Sequence, residues 1–244
     1  MKSFCIVGTD TDAGKSIVTA GIANIFKEKS LNFIVQKWVS TGDKDGFSED
    51  LRFIYNSFIV KKNKSIKSIY KNKDIFIKEN KRVLNPYSFK FPASPHFAAS
   101  LENKSISIQK IMKSFKILNN KYEYVIVEGV GGLLVPITKN ILLIDIIKKL
   151  KLPVILVALN KLGAINHTLL SIKILNNYNI NIIGLIFNNY VMNRNNKIIL
   201  KDNIKIIEKS GKVKSLGEIP YLKKKDDFFI YFEAIVEKIL KKIK

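Results

Sequence analysis

The sequence is poor in the residues that build disulfide and zinc sites. Its 244 residues include one cysteine and two histidines. The single Cys5 excludes an intramolecular disulfide, and we expect it to be a small buried side chain in the first strand. His96 is not part of a cysteine and histidine cluster, so we expect it to be a packed or capping residue rather than a zinc ligand.

The sequence also lacks a long apolar run. The segments Ile141–Ile147 and Val154–Leu159 are far shorter than the ~20 residues that a membrane-spanning helix requires. The N-terminus has no basic region followed by a long apolar segment, so no signal peptide is expected. These absences predict a soluble, cytoplasmic protein without a membrane partner.

Arginine is scarce although the chain is strongly basic. The formal net charge is +22, but only Arg52, Arg82 and Arg194 among the 42 basic residues are arginines. Nucleic-acid sites favour arginine for its planar fork, and the lysines here are scattered rather than gathered in one stripe. We therefore interpret the charge as compositional drift and expect no specific nucleic-acid partner, only weak, salt-sensitive binding to polyanions.

The most informative stretch lies at the front of the chain. The apolar run Phe4–Val7 predicts a buried strand, and a helical pattern follows the turn that ends at Gly14. Backbone N–H groups of such a turn, with the positive end of the helix, form a phosphate cradle. Lys15 can then reach the β/γ-phosphates and the Ser16 hydroxyl can bind Mg²⁺, although an ordinary strand–turn–helix is the alternative. The predicted nucleotide-binding residues here are Asp12, Ala13, Gly14, Lys15, Ser16 and Ile17.

Charged residues also follow two further predicted strands. Lys37 lies at the end of the strand that starts at Phe33, and Glu128 ends the strand that starts at Tyr124. The carboxyl ends of parallel strands share one rim of a sheet, so both side chains are expected beside the cradle. There Lys37 would be a second cation for phosphate oxygens, and Glu128 would hold Mg²⁺; solvated side chains are the alternative. Asp50, near a helix start, either favours the helix dipole or faces the cradle as a metal ligand.

Strands and helices alternate along the whole chain. This alternation predicts a doubly wound, mainly parallel α/β sheet with helices on both faces, of the P-loop NTPase type, as one domain over residues 1–244. The lysine-rich segment Lys61–Arg82 has weak periodicity and is interpreted as an irregular surface excursion. Asn188-Asn189 ends a strand and is well placed to bind an adenine edge. Asn160-Lys161 resembles part of a guanine-reading motif, but Gly163 replaces its aspartate, so no GTP preference is predicted.

Together these residues resemble the dethiobiotin synthetase family, the ATP-dependent ligases of biotin synthesis. The resemblance spans nearly the whole chain outside Lys61–Arg82, and the five residues between Gly8 and Gly14 match that family's own spacing. The matching segments, in family order, are Gly8–Thr11 with Gly14–Ser16, Lys37 with Thr41-Gly42, Asn85–Tyr87, Ser94–His96, Glu128–Gly132, Lys161–Gly163 with Asn166-His167, and Gly217–Pro220.

The resemblance implies a cyclo-ligase that makes dethiobiotin from 7,8-diaminononanoate, CO₂ and ATP through a carbamate and a carbamic–phosphoric anhydride. It implies ATP and Mg²⁺ as cofactors, and a homodimer with the active site at the interface. By position, the catalytic residues are Lys37 and Lys15, and the metal ligands are Ser16, Asp50 and Glu128. The further nucleotide-binding residues are Gly129, Val130, Gly131, Asn188, Asn189, Pro220, Tyr221 and Leu222. The substrate-binding residues are Thr11, Thr41, Gly163, Ala164 and Asn166, the last three receiving the substrate carboxylate from the partner subunit.

Some positions depart from the family pattern. Trp38 replaces a proline that commonly follows the catalytic lysine, Ser16 replaces a threonine, and Asn189 replaces a common aspartate. No required charge is lost. Trp38 is expected to affect the orientation of Lys37, and hence the reaction rate, more than the identity of the reaction. An alternative of another class is a partitioning-type P-loop ATPase switch that binds DNA or membrane. Such a switch would not explain the segment Lys37–Thr41 or a carboxylate pocket at Gly163–Asn166.

Overall fold

The computed structural model describes residues 2–57, 73–189, 196–221 and 229–243. The strands are β1 (Phe4–Gly8), β2 (Phe33–Lys37), β3 (Val39–Thr41), β4 (Tyr87–Phe89), β5 (Tyr124–Gly132), β6 (Val154–Asn160), β7 (Ile182–Asn189) and β8 (Ser215–Ile219). The helices are α1 (Lys15–Glu28), α2 (Glu49–Asn56), α3 (Lys73–Leu84), α4 (Pro95–Leu101), α5 (Ile108–Lys121), α6 (Leu143–Lys149), α7 (Ala164–Asn177), α8 (Asn196–Gly211) and α9 (Phe232–Lys242).

Six strands form one sheet in the order β2-β5-β1-β6-β7-β8. Every neighbouring pair in it is parallel, which confirms the predicted doubly wound α/β fold. From β1 the chain crosses to the edge strand β2, returns to β5 beside β1, and then continues on the other side of β1 through β6, β7 and β8. In such sheets ligands bind beyond the carboxyl ends of the strands, where the order reverses. The carboxyl end of β1, at Gly8, therefore lies at the expected position of the site.

The central strand β1 lies wholly inside the core. Its first four side chains, from Phe4 to Val7, are 0% exposed because β5 and β6 flank it and helices cover the sheet. A parallel strand buried on both faces requires a continuous apolar run, which is the pattern of this segment. Phe26 of α1 packs edge to face on Phe4, with ring centroids 6.3 Å apart. This packing fixes α1, and with it the loop between Gly8 and Lys15, against the end of the sheet.

A second, two-stranded parallel sheet joins β3 to β4 and was not predicted. Residues Tyr87–Phe89 pair with Val39–Thr41. Three-residue strands are too short to show alternation, so the sequence carries no periodic signal for them. The pairing draws the chain after Lys37 away from the main sheet and holds it beside the carboxyl ends of the strands.

The interpretation of Lys61–Arg82 as an irregular surface excursion is wrong for its second half. Residues 73–84 form helix α3, which contacts α5 and β2, while residues 61–72 lie outside the described part of the chain. Ile77 is only 8% exposed, and the Phe76 ring lies 6.2 Å from that of Tyr55 in an edge arrangement. A few well-placed apolar residues therefore anchor a helix whose lysine-rich composition masks its amphipathic pattern.

Two smaller features are the surroundings of His96 at the start of helix α4 and the search for a membrane-spanning helix. Helix α4 begins at Pro95, with Ser94 as its N-cap residue. The half-buried His96 ring lies with Nδ1 3.1 Å from the Ser94 hydroxyl. Within the described ranges, none of the helices has both the length and the apolar character needed to cross a bilayer.

Candidate nucleotide-binding and catalytic site

The last residue of the loop between β1 and α1 has a backbone conformation that favours glycine. Gly14 has φ +94° and caps the N-terminus of α1. A Cβ atom placed there would lie 2.2 Å from Nδ2 of Asn188, at the end of β7. Both the backbone conformation and the available space therefore require glycine. Asp12 also has positive φ, at 59°, so the loop curls and directs backbone N–H groups and the start of α1 into one concavity.

Lys15 lies inside this concavity with its side chain folded over the loop. The residue is 8% exposed, and its Nζ donates a hydrogen bond to the Asp10 carbonyl oxygen at 3.1 Å. Burial, and then the positive charge of Lys37, lower the pKa of Lys15 below its ordinary value. An anion bound in the concavity would offset both effects, so the loop favours a phosphate electrostatically.

Four side chains meet where Lys37 ends β2 beside Glu128 of β5, and we call Ser16, Lys37, Asp50 and Glu128 the Lys37 cluster. The Lys37 ammonium lies 2.6 Å from Glu128 Oε1 and 2.5 Å from Asp50 Oδ2. The Ser16 hydroxyl lies 3.0 Å from Asp50 Oδ1 and 3.0 Å from Glu128 Oε1. Ser16 lies in the first turn of α1, Asp50 lies in the first turn of α2, and the strand register pairs Lys37 with Glu128. The fold thus brings together four residues that are distant in sequence.

The charges of the Lys37 cluster stabilise one another. Burial by itself would lower the pKa of Lys37, but the carboxylates of Glu128 and Asp50 raise it above its ordinary value. Burial would raise the pKa of Asp50, but the Lys37 ammonium lowers it below its ordinary value. Lys37 is consequently a fixed cation at neutral pH and not a proton acceptor.

The Lys37 cluster also presents oxygen atoms of the kind that Mg²⁺ prefers. Oε2 of Glu128 is buried and has no hydrogen-bond partner among the described residues. A buried carboxylate oxygen of this kind requires a donor or a cation. The Ser16 hydroxyl, the Asp50 carboxylate and Glu128 together form a hard oxygen donor set, to which nucleotide phosphates normally add. No group of three or more His, Cys, Asp or Glu side chains suited to a metal occurs in the ranges described.

The end of β7 lies against the loop on its other side. Asn188 Nδ2 donates to the Ala13 carbonyl oxygen at 3.2 Å, which fixes the orientation of this amide. Asn189 accepts from Asn160 Nδ2 at 2.8 Å and donates to Glu218 at 3.0 Å. Asn160 is 0% exposed, so its amide serves this internal network and is not presented to a guanine base.

The remaining predicted nucleotide residues flank this end of the sheet. Pro220 and the exposed Tyr221 follow β8, which pairs with β7, whereas Leu222 lies outside the described residues. Gly129 approaches the backbone of β1, since a Cβ there would lie 3.2 Å from the Ile6 carbonyl oxygen. Val130 and Gly131 continue β5 past Glu128, and Ile17 is partly exposed on the first turn of α1.

The predicted substrate residues fall into two places. The exposed Thr11 lies near the end of β5, where a Cβ on Gly131 would be 3.7 Å from the Thr11 hydroxyl oxygen, and Thr41 ends β3. Gly163, Ala164 and Asn166 instead lie at the start of α7. Gly163 and Asn166 line a separate cavity of about 490 Å³, and none of its lining residues belongs to the loop or the Lys37 cluster. Within one chain, therefore, the structure does not bring these residues to the other predicted ones.

Two buried polar residues beside the Lys37 cluster were not predicted as site residues. Asn85 is 4% exposed and Asp43 is 3% exposed, and both form hydrogen bonds with the segments that carry Lys37 and Asp50. The sequence offered one weak signal, the Asn85–Tyr87 match to the family pattern, which gives no role to the asparagine.

A phosphate-type loop after the central strand of a parallel sheet defines the class of P-loop nucleotide-binding proteins. Solved structures share this fold. The MinC:MinD cell division protein complex of Aquifex aeolicus matches with a TM-score of 0.57 and 16% identity, over 98% of this chain and 95% of that chain. A plasmid partition protein from Borrelia burgdorferi matches with a TM-score of 0.57 and 17% identity, over 99% and 100% of the two chains. At such identities the likeness concerns the fold alone.

Sequence relatives identify the family more narrowly. A family model described as an AAA domain matches residues 2–227. An ATP-dependent dethiobiotin synthetase BioD of Lysinibacillus sphaericus is 38% identical over 190 residues, which cover 77% of this chain and 76% of the relative. The corresponding protein of Endomicrobium trichonymphae is 36% identical over 229 residues, covering 92% and 95%. The chain belongs to the dethiobiotin synthetase family, and the resemblance stated from the sequence motifs is confirmed.

Proposed function

We propose that the protein is an ATP-dependent cyclo-ligase that forms dethiobiotin, ADP and phosphate from 7,8-diaminononanoate, CO₂ and ATP. The observation that carries the proposal is the Lys37 cluster beside the phosphate-type loop, in a chain of the dethiobiotin synthetase family. Two buried lysines within reach of the same concavity suit a reaction between two anions. A carbamate and a triphosphate repel each other unless fixed positive charge lies between them.

The proposed reaction has three bond-forming steps. One amine of the substrate attacks CO₂, loses a proton and becomes a carbamate. A carbamate oxygen attacks the γ-phosphorus of ATP, ADP leaves, and a carbamic–phosphoric anhydride forms. The second amine attacks the carbonyl carbon and expels phosphate, which closes the cyclic urea. Catalysis of the middle step is largely positioning and charge stabilisation.

The roles of the residues follow from their electrostatics. Burial disfavours the charge of Lys15, and a bound anion would offset this cost, so Lys15 binds the phosphates and the carbamate. Lys37 stays protonated through its carboxylate partners, so it stabilises charge on the transferring phosphoryl group and does not remove a proton. Ser16, Asp50 and Glu128 would hold Mg²⁺, which supplies further positive charge to the phosphate oxygens. Thr11 and Thr41 would contact the substrate.

The remaining assignments concern the two ends of the bound reactants. Asn188 and Asn189, with residues 220–222, would bind the adenine end, supported by the position of Asn188 against the loop. Gly163, Ala164 and Asn166 would bind the substrate carboxylate at the N-terminus of α7 in the partner subunit of a homodimer. The separate cavity at α7 supports this division, because these residues do not line the Lys37 cluster of their own chain.

Product formation tests the proposal directly. Purified protein is incubated with diaminononanoate, labelled bicarbonate and Mg-ATP, and labelled dethiobiotin is measured by chromatography and mass spectrometry. We expect one dethiobiotin for each ADP, and no ADP release above background without diaminononanoate. A folded protein that makes no product, yet hydrolyses ATP when DNA or vesicles are added, would contradict the ligase and favour the partitioning-type switch.

A further inference from the structure

We propose that Asn85 is a positioning residue that sets the distance between Lys37 and the helix that carries Asp50. The inference rests on the proposed function, because it concerns the residues assigned to phosphoryl transfer. Asn85 lies between α3 and β4 and does not touch the Lys37 ammonium. It acts on the main chain of the two segments whose side chains meet in the cluster.

The Asn85 amide joins these segments by hydrogen bonds at both of its polar atoms. Its Nδ2 donates to the carbonyl oxygen of Lys37 at 3.0 Å and to that of Tyr87 at 3.0 Å. Its Oδ1 accepts from the backbone N–H of Ser48 at 3.0 Å. Ser48 is the N-cap of α2, and its hydroxyl accepts from the Leu51 N–H at 3.3 Å. One side chain thus fixes the backbone of the lysine and the start of the helix.

These contacts close a ring of short connections. This series of contacts starts at Asn85, which binds the backbone of Ser48, two residues before Asp50. Oδ2 of Asp50 in turn lies 2.5 Å from the Lys37 ammonium. From Lys37 the series returns through the carbonyl oxygen to Asn85. A change in the amide would therefore alter the position of both partners of the ion pair. A misplacement of about 1 Å at a reacting centre lowers the rate on the order of 100-fold.

Asp43 provides a second connection between the same elements. Its carboxylate accepts from the backbone N–H of Glu49 at 3.1 Å and from the Ser88 hydroxyl at 2.6 Å. It also accepts from the hydroxyl of Ser40, whose oxygen lies 3.2 Å from Asn85 Oδ1. The negative charge lies at the N-terminus of α2, where the helix dipole favours it. The buried network therefore ties β3, β4 and α2 together beside Lys37.

If Asn85 had only a structural role, its substitution would lower stability without a specific effect on catalysis. A matched control variant separates a structural role from a positioning role. Asn24 is a comparable buried amide, 6% exposed, whose Nδ2 donates to Ala20 and Ser57 at 2.8 and 3.1 Å. It lies in α1, and its partner Ser57 is the C-cap of α2, at the opposite end of that helix from Asp50. We compare Asn85→Ala with Asn24→Ala, and include Asn85→Ser as a milder variant that keeps one hydroxyl group.

Trp38 gives a readout that does not depend on activity. It is the sequence's single tryptophan, follows Lys37 directly, is 2% exposed and donates to Gln36 Oε1 at 3.0 Å. In Asn85→Ala we expect its emission to move to longer wavelength and its quenching by acrylamide to increase, whereas Asn24→Ala leaves both unchanged. Measured in folded protein, kcat should fall by about 10- to 100-fold in Asn85→Ala, with an unchanged Kd for ATP. Asn85→Ser should lie between Asn85→Ala and the wild type.

The outcomes separate this inference from the proposed function. If Asn85→Ala and Asn85→Ser match Asn24→Ala in Trp38 fluorescence or in kcat at equal loss of stability, Asn85 is not a positioning residue. If wild-type protein forms no dethiobiotin, the proposed function fails. The Trp38 comparison then still decides whether Asn85 orders the Lys37 segment.

Discussion

The arrangement around Lys37 makes its ammonium group important for stability as well as for the proposed reaction. Glu128 is 1% exposed, so its carboxylate depends on the lysine and on the Ser16 hydroxyl for compensation. Asp50 is nearly half exposed at its side chain and has water as an alternative partner. Removal of the lysine therefore affects mainly the buried Glu128.

Replacement of Lys37 by methionine tests both roles. We expect product formation to fall at least about 100-fold, since one fixed cation is lost from the transition state. We also expect the free energy of unfolding at neutral pH to fall by up to about 3–5 kcal/mol, because a buried carboxylate is left unpaired. The measurements are steady-state kinetics and urea unfolding. Lys116→Met, on the exposed face of α5, is the control for loss of one positive charge.

The pH dependence of that stability difference follows from the two pKa directions. Asp50 has a lowered pKa in the folded protein, so its contribution is present above the unfolded value of about 3.9 and is lost as the pH falls further. Lys37 has a raised pKa, so its contribution is complete below about 10.4. The difference between wild type and Lys37→Met should be largest between about pH 5 and pH 10 and shrink below about pH 4. A difference that does not change with pH would argue against the ion pairs.

Single residues also show what sequence reasoning can reach. Lys15, Ser16 and Lys37 were identifiable because each follows a strand or a glycine turn at a spacing with a known chemical purpose. The structure brings Ser16 and Lys37 into one cluster, while the metal-binding role of Ser16 and the catalytic role of Lys37 stay predictions. Asn85 and Asp43 were not identifiable, because a buried side chain that bonds to backbone groups has no characteristic spacing.

At the scale of elements, the closeness of α1 and α9 depends on a glycine. A Cβ atom on Gly21 would lie 2.3 Å from the nearest atom of the Phe232 ring, which is 0% exposed. Alanine is the better helix former by about 1 kcal/mol, so propensity and packing oppose each other here. Because the ring belongs to a packed core, we expect packing to decide the outcome.

Gly21→Ala should consequently lower the free energy of unfolding by about 1–3 kcal/mol, as measured by urea denaturation. In a protein that already carries Phe232→Leu, adding Gly21→Ala should lower the free energy of unfolding by less than it does in the wild type, since the smaller side chain leaves room for the methyl group. A Gly21→Ala protein more stable than wild type would show that the two helices move apart at little cost.

Elements differed in how well the sequence predicted them. The strands of the main sheet are apolar runs between polar turns, and the alternation with helices confirms the predicted fold. Strands β3 and β4 were missed because three residues carry no period. Helix α3 was missed because its lysines obscure the buried Ile77. These missed elements matter, since they form the frame that holds Lys37 and Asn85.

At the scale of the whole molecule, the net charge of +22 sets a test between the two function classes. We expect binding to duplex DNA to be weak, to fall steeply between about 50 and 200 mM salt, and to be indifferent to Mg-ATP. Fluorescence anisotropy of a labelled duplex with and without Mg-ATP measures this. Salt-resistant binding that appears only with ATP would instead support a partitioning-type switch.

The single cysteine has a consequence that reaches beyond packing. Cys5 lies in the central strand at 0% exposure, and burial raises the pKa of its thiol, so it is neither accessible nor ionised in the folded protein. Thiolate chemistry at this position requires that the sheet itself come apart. Alkylation of Cys5 therefore proceeds at the pace of large-scale opening. With one cysteine in each molecule, the rate at which Cys5 is alkylated therefore reports the rate at which the central sheet opens.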